Sequence, residues 1–132
     1  MKLQVGVKVL IKNEAGQYLL LQRSESLPDG TGIRWDIPGG RIDASEKLLE
    51  ALKRELREEI GVDLRVKPVL IAAQDILIAD IDLHVVRLTY TAEMVGEVSL
   101  GNEHQNYKWV TVADGLKLNT DPYLREVLED LR

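Results

Sequence analysis

The spacing of hydrophobic and polar positions near the start of the chain predicts two strands joined by a turn. Residues Leu3 to Ile11 alternate loosely and are rich in Val, Leu and Ile, which is typical of a strand. Asn13-Glu14-Ala15-Gly16 is a turn signal, and Tyr18 to Gln22 predicts the second strand. We therefore expect the two strands to form a hairpin.

A polar loop and a short strand lead into the most regular helical segment of the sequence. The loop covers residues 24–33, and the short strand, Trp35 to Ile37, ends at Pro38-Gly39-Gly40. From Ser45, the predicted N-cap, no Gly or Pro interrupts the next fifteen positions. Gly61 stands where glycine commonly ends a helix. We therefore predict a helix from about Ser45 to Ile60.

The second half of the chain predicts further strands and then another helix. Two apolar runs, Val66 to Ala73 and Ile76 to Met94, indicate strands, with the second run divided near Ala79-Asp80. Trp109 to Val112 predicts one more short strand, and Thr120-Asp121-Pro122 opens the last helix. The apolar stripe of that helix consists of Leu124, Val127, Leu128 and Leu131. This order predicts an α+β or α/β sandwich around a mixed sheet.

Composition and charge narrow the classes of function. The 132 residues, 45% of them apolar, predict one domain over residues 1–132. A net charge of -5 argues against a nucleic-acid polymer as partner. A small anionic substrate is still compatible with this charge if local cations or a metal ion neutralise it. The absence of cysteine excludes a zinc–thiolate site and favours a cytoplasmic location. No apolar run reaches the ~18 residues of a membrane span and the first residues lack the form of a signal peptide, so we expect no membrane partner.

The predicted helix carries acidic side chains on the side that should face the core. With Glu55 placed at zero on a helical wheel, the apolar stripe spans roughly 20° to 140°, and Glu59 falls inside it at about 40°. A carboxylate on a buried stripe is unfavourable unless a cation or hydrogen bonds compensate for it. Glu55, Glu58 and Glu59 would also converge and repel one another. Mg²⁺ would remove that repulsion, so the cluster is either a metal site or purely structural.

Together with the glycines before the helix, these residues resemble the Nudix family. Its box is G-x5-E-x7-R-E-U-x-E-E-x-G-U, where U is a bulky aliphatic residue. Here the box runs over residues 40–62. Every fixed position is filled, by Gly40, Glu46, Arg54, Glu55, Leu56, Glu58, Glu59, Gly61 and Val62. Residues 35–40 resemble the usual lead-in, residues 19–23 the usual second strand, and Glu103 lies six residues before Trp109, as in a common late element.

The resemblance implies a Nudix fold, an α/β/α sandwich in which the box forms a loop–helix–loop. It also implies hydrolysis of a nucleoside diphosphate linked to a group X, and we expect a nucleoside triphosphate, intact or oxidised, as the small-molecule substrate. Some ADP-ribose members carry a proline at a set distance after the box and some dinucleoside polyphosphate members a tyrosine, but residues 75–80 contain neither. These substrates and nucleotide sugars stay alternatives, as does a nucleotide-binding module without catalysis, although such modules typically lose box glutamates.

The resemblance further implies a divalent cation and its ligands. Glu55, Glu58 and Glu59 would ligate Mg²⁺ or Mn²⁺, and the carbonyl of Gly39 often adds a ligand in relatives. The general base would come either from the box or from a later loop, so Glu58 and Glu103 are alternatives for orienting or deprotonating the attacking water. Glu59 is counted with the catalytic residues because it would hold the ion.

Other residues are expected to support the box or contact the substrate. Arg54, also counted with the catalytic residues, would form a structural ion pair with Glu46. Arg23 either binds a phosphate or is a surface arginine, and Trp35 either stacks on a base or packs against the sheet. Asn119 either lies near a base pocket or is an ordinary loop residue. The predicted substrate-binding residues are Arg23, Trp35, Gly40 and Asn119, and the chain would act as a monomer or a homodimer.

Overall fold

The computed structural model describes residues 1–24 and 34–132 and shows an alternation of strands and helices. The strands are β1 (Lys2–Ile11), β2 (Tyr18–Arg23), β3 (Trp35–Asp36), β4 (Gly39–Arg41), β5 (Asp63–Leu64), β6 (Val69–Ile78), β7 (Leu83–Ala92), β8 (Met94–Val95) and β9 (His104–Val110). The helices are α1 (Leu48–Ile60), α2 (Val112–Gly115) and α3 (Pro122–Leu131), with a 3₁₀ turn at Ala79–Ile81. Over residues 1–24 and 34–132, no helix has the length and apolar character needed to cross a membrane.

The sheets lie between α1 and α3. A four-stranded mixed sheet has the order β4-β1-β7-β6, in which β1 runs parallel to β7 and antiparallel to β4. A three-stranded antiparallel sheet has the order β3-β2-β9, and β5 pairs with β8. Val7 and Val9 of β1 are buried in the core that includes α1, whereas Leu10 is buried in the core that includes α3. The predicted α+β sandwich around a mixed sheet is confirmed.

The predicted hairpin of the first two strands is wrong, although its turn is present. The Asn13 side chain accepts the backbone N–H groups of Ala15 and Gln17 at 3.1 and 2.9 Å, and a single bridge joins Lys12 to Tyr18. Beyond that bridge β1 pairs with β7, and β2 pairs with β9. Both strands are buried on both faces, so each lies inside a sheet with a partner on either side.

The start of α1 also differs from the prediction, whereas its end agrees. Ser45 has a φ of 70°, in the left-handed region, so it does not cap the helix, which begins at Leu48 after Lys47. Gly61 ends the helix at a φ of 67°, as predicted. The early part of the predicted helix is instead a loop held by side-chain contacts.

The later elements agree with the sequence in part. The break at Ala79–Ile81 is confirmed, but β6 continues through Gln74 and Asp75, where the sequence predicts a gap between two strands. The last strand begins at His104 and ends at Val110, earlier than predicted, because its exposed residues follow β2 through backbone pairing. Asp121 caps α3, and Pro122 occupies the first turn, as expected.

An ion pair joins the loop before α1 to the helix itself. Arg54 donates to both carboxylate oxygens of Glu46, from Nε at 2.8 Å and from Nη2 at 3.0 Å. Glu46 also accepts the backbone N–H of Asp43 at 3.0 Å, and Arg54 Nη2 donates to the Arg41 carbonyl at 3.2 Å. Hydrogen bonding from Arg54, followed by that from Asp43, lowers the pKa of Glu46 to about 2. This two-pronged contact fixes the loop over the first turns of the helix.

We expect Glu46→Gln to destabilise the protein in a pH-dependent way. The folded-state pKa of Glu46 is about 2 and the ordinary value is 4.5, so the contribution of the ionised group is fully present above pH 4.5. It is lost as the pH falls from 4.5 toward 2. Thermal unfolding at a series of pH values should show the melting temperatures of wild type and variant converge on acidification. Glu50→Gln, on the exposed side of α1, is the control, and a gap that stayed constant with pH would contradict the prediction.

Candidate active site

Glu59 lies on the buried side of α1. Its side chain belongs to a residue only 7% exposed, alongside the core residues Leu56 and Ile60. One carboxylate oxygen, Oε1, accepts the backbone N–H of Gly39 at 3.2 Å. The prediction that Glu59 falls within the core-facing stripe is therefore confirmed.

The glycine turn, in which the chain bends at Pro38 and enters β4 at Gly39 and Gly40, passes too close to its neighbours for either glycine to carry a side chain. Gly39 has a φ of 140°, and a Cβ there would collide with the carbonyl oxygen of Val7. A Cβ on Gly40 would lie 2.6 Å from the carboxyl carbon of Glu55. Glycine at both positions lets the turn lie between β1 and the acidic side of α1. Gly40 thus contacts Glu55, while its predicted contact with substrate stays a prediction.

The surroundings of Glu59 favour its protonated form. Burial is the largest cause and is opposed by the charge of Lys8; a hydrogen bond with Glu55 acts with burial, and together they raise the pKa of Glu59 to about 8. The Gly39 N–H also opposes the rise. Two carboxyl groups therefore meet beside the glycine turn in a place where water is largely excluded.

Arg54 lies close to the carboxylates of both Glu55 and Glu58. Its Nη1 donates to Glu55 Oε1 at 2.8 Å and lies 3.6 Å from Glu58 Oε2. The Glu58 side chain is 61% exposed, so the compact convergence of Glu55, Glu58 and Glu59 expected from helical spacing is not what the side chains adopt. Within residues 1–24 and 34–132, no three acidic or histidine side chains stand close enough to hold a metal ion as placed. Their assignment as metal ligands stays a prediction.

A cavity of about 320 Å³ opens beside these carboxylates. Its lining consists of Glu55, Glu58, Glu59, Gly101, Asn102, Glu103 and His104. A second cavity, of about 370 Å³, shares residues 102–104 and adds Arg23 and Ser24. The fold thus brings Glu103 and Arg23, both selected from the sequence, to the same region as the box.

Backbone contacts place the late loop at this position. The N–H of Gly101 donates to the carbonyl of Glu59 at 2.8 Å, which ties the loop to the last turn of α1. Ser24 donates from its backbone N–H to the Glu103 carbonyl at 2.9 Å and from its hydroxyl to the Asn102 carbonyl at 3.1 Å. These contacts hold the loop between α1 and the end of β2, where Arg23 is exposed.

His104, the first residue of β9, is largely buried in the same region. Its side chain is 11% exposed, and Nδ1 lies 4.0 Å from Glu59 Oε2. Nδ1 is buried without a hydrogen-bond partner in the described residues. Burial, followed by the nearby charge of Lys8, lowers the pKa of His104. His104 adjoins Glu103 in the sequence and could support the site, but a lone loop histidine usually does not, so His104 was not among the predicted site residues.

Trp35 and Asn119 meet away from the carboxylates. Trp35 is 6% exposed and packs in the core of α3, with Lys108 Nζ 5.4 Å from the centroid of its ring. Its backbone N–H donates to the carbonyl of Asn119 at 2.8 Å, and Asn119 is exposed in the loop before α3. Of the two interpretations of Trp35, packing is the one that its burial shows. Base contacts by Trp35 or Asn119 stay predictions.

The sequence did not identify a set of buried charges beneath the glycine turn. Lys8 Nζ donates to the Ile37 carbonyl at 3.1 Å and lies 3.4 Å from Asp36 Oδ2. Asp36 also pairs with Arg87 at 3.0 Å, and Arg87 reaches Asp121 at 3.2 Å. Burial alone would raise the pKa of Asp36, but Lys8 and Arg87 together hold it below its ordinary value. The sequence feature that could have indicated these charges is Lys8, a lysine between two valines of an apolar strand.

Comparisons with known proteins identify the family to which the chain belongs. An 8-oxo-dGTP diphosphatase of Haemophilus influenzae is 47% identical over 53 residues, which cover 40% of this chain and 38% of that protein. The nucleoside triphosphatase NudI of Escherichia coli is 28% identical over 137 residues, covering 90% of this chain and 89% of that protein. Among solved structures, the MutT protein of Methanosarcina mazei has a TM-score of 0.82 and 30% identity, over 97% of this chain and 91% of that one. The family described as NUDIX domain matches residues 2–131, so the chain belongs to the Nudix hydrolase family.

Proposed function

We propose that this chain hydrolyses a nucleoside triphosphate, intact or oxidised in its base, to a nucleoside monophosphate and pyrophosphate. The observation that carries the proposal is the buried carboxylate of Glu59, which lies with Glu55 beside the glycine turn and faces a cavity shared with Glu103. Two similar proteins, named 8-oxo-dGTP diphosphatase and nucleoside triphosphatase, support the substrate class.

The residues present fit a hard divalent cation. Three carboxylate side chains of the box, those of Glu55, Glu58 and Glu59, line the cavity beside the turn, and carboxylate oxygens are the ligand type that Mg²⁺ and Mn²⁺ prefer. Glu55 and Glu59 line the same cavity and both side chains are largely buried, so a cation held between them would compensate their charges. We infer that Glu55, Glu58 and Glu59, with the Gly39 carbonyl, hold such an ion. When bound, the ion supplies charge neutralisation at phosphate oxygens and makes water more acidic.

Residues of the chain accept the proton from the attacking water and bind the substrate phosphates. Water attacks one phosphorus of the anhydride, the bond from that phosphorus to the bridging oxygen breaks, and the leaving phosphate keeps the electron pair. We assign Glu103 as the acceptor of the proton from water, because it lines both cavities while Glu58 pairs with Arg54 at 3.6 Å. Arg23, which lines the second cavity, is placed to bind a phosphate.

The experiment that tests the proposal is a substrate panel. Nucleoside triphosphates, oxidised triphosphates, nucleotide sugars, ADP-ribose and dinucleoside polyphosphates are incubated with the protein and Mg²⁺, and the products are identified by mass. We expect a triphosphate to be turned over fastest, with pyrophosphate as product. Faster hydrolysis of ADP-ribose would reject the substrate class, and no cation-dependent turnover of any member would reject the enzyme.

Glu59→Gln should abolish most of the activity while leaving the fold intact. The amide keeps a hydrogen-bond acceptor for Gly39 but cannot compensate a cation, so we expect kcat to fall on the order of 10²-fold or more. Pyrophosphate release measures the loss, and circular dichroism measures the fold. Glu50→Gln, also on α1 but exposed, should behave as wild type. Near-normal turnover by folded Glu59→Gln would reject the role of Glu59.

Replacing the two candidate bases separates their roles. We expect Glu103→Gln to lower kcat by about 10²- to 10⁴-fold, the range for loss of a general base. Glu58→Gln should lower kcat less, because Glu58 contributes to ion binding from an exposed position. Steady-state kinetics at saturating Mg²⁺ measure both, with Glu97→Gln, an exposed residue of the preceding segment, as control. If kcat falls further in Glu58→Gln than in Glu103→Gln, the general base is Glu58.

A further inference from the structure

Lys8 is a charged residue inside an apolar strand. Its neighbours Val7 and Val9 are fully buried, and the Lys8 side chain itself is only 21% exposed. The head of Lys8 donates to the carbonyl of Ile37 at 3.1 Å and lies 3.4 Å from a carboxylate oxygen of Asp36. Holding a lysine in one conformation costs side-chain entropy, and partly removing its ammonium from water costs solvation free energy.

The stem of Lys8 lies directly against the glycine turn. Lys8 is the partner of Gly39 in the antiparallel pairing of β1 with β4. A Cβ on Gly39 would lie 2.7 Å from Lys8 Cα and 2.9 Å from Lys8 Cδ. The N–H of Val9 donates to the carbonyl of Pro38 at 3.0 Å. Contacts from two consecutive positions of β1 therefore fix the three residues 37–39.

The opposite side of the same turn contacts the candidate metal ligands. Gly39 N–H donates to Glu59 Oε1 at 3.2 Å, so a displacement of the turn would displace the donor that orients this carboxylate. The Lys8 charge also acts on Glu59 and on His104 through space. Lys8 is not among the residues that line either cavity beside the carboxylates, so it is not placed to touch substrate.

We propose that Lys8 is a positioning residue for the acidic centre formed by Glu55 and Glu59: by holding the Ile37 carbonyl with its ammonium and packing its stem against Gly39, it keeps the Gly39 N–H against Glu59. The kinetic part of this inference rests on the proposed function, because kcat and KM can be measured only if the protein hydrolyses a nucleotide. It predicts an effect on kcat and on cation binding, and no effect on the affinity for nucleotide, because Lys8 lines neither of the two cavities beside the carboxylates.

The fold should tolerate the loss of Lys8. Asp36 keeps Arg87 at 3.0 Å, so its buried carboxylate is not left without a cation. The backbone pairing of β1 with β7 extends from Lys2 to Ile11 and does not depend on the side chain. A loss of activity in a folded variant can therefore be separated from a loss of structure.

The test compares Lys8→Met with Lys8→Arg and with Lys12→Met, which removes an exposed lysine just beyond the end of β1. We expect Lys8→Met to lower kcat by roughly 10- to 100-fold, as loss of outer contacts to a metal site does, with KM close to wild type. Lys8→Arg keeps charge and donors and should retain most of kcat. Lys12→Met should match wild type.

Two measurements without nucleotide make this test independent of the proposed function. Mn²⁺ binding followed by electron paramagnetic resonance should weaken in Lys8→Met by a similar factor, about 10- to 100-fold. Hydrogen exchange at the Gly39 amide should become faster in the same variant. If wild type turned over no nucleotide, the proposed function would fail while these two measurements still decided the role of Lys8.

The opposite results would overturn the inference. Unchanged kcat, unchanged Mn²⁺ affinity and unchanged Gly39 exchange in folded Lys8→Met would show that the clamp is dispensable. A change in KM alone would mean that Lys8 acts on substrate. If Lys8→Met does not fold, Lys8→Gln replaces it: the inference requires faster Gly39 exchange with Gln than with Arg, and equal exchange rates would reject it.

Discussion

The hydrogen bond from Gly39 to Glu59 is the contact on which the arrangement of the site depends. Its acceptor is an ionisable group that helical geometry places on the core side of α1, at 7% exposure, where the neighbouring residues are apolar. Such a group is tolerated only with specific partners, and here the turn must come close enough to supply one. Glycine at positions 39 and 40 permits that approach, because a Cβ at either position would collide with β1 or with Glu55.

Much of the site was predictable because its residues lie on one helix and its flanking loops. Helical geometry alone placed Glu59 on the buried stripe, and glycine at position 61 marked the end of α1. The contact of Arg54 with Glu46 followed from the resemblance and is present as two hydrogen bonds. These features depend on residues that are close together along the chain, so their spacing can be read directly from the sequence.

The features that failed depend on partners far away in the chain. β1 and β2 have a proper turn between them, yet each pairs with a strand more than seventy residues later in the chain, because both are buried on both faces. Ser45 has the chemistry of an N-cap, but the clamp of Arg54 on Glu46 holds the preceding loop in another conformation. Local propensity is a weak guide wherever such long-range contacts compete with it.

The charges beneath the turn show why tertiary structure, and not the box alone, sets the position of Glu59. Asp121, the cap of α3, pairs with Arg87, Arg87 with Asp36, and Asp36 with Lys8, so charges of alternating sign run from α3 to the glycine turn. Each buried charge has an opposite neighbour, and removing an inner one leaves its partners uncompensated. Because Lys8 stands at the end of the series and Arg87 inside it, we expect the loss of Lys8 to harm folding less than the loss of Arg87. The series thus connects the N-cap of α3 with the turn whose Gly39 N–H contacts the carboxylate of Glu59 on α1.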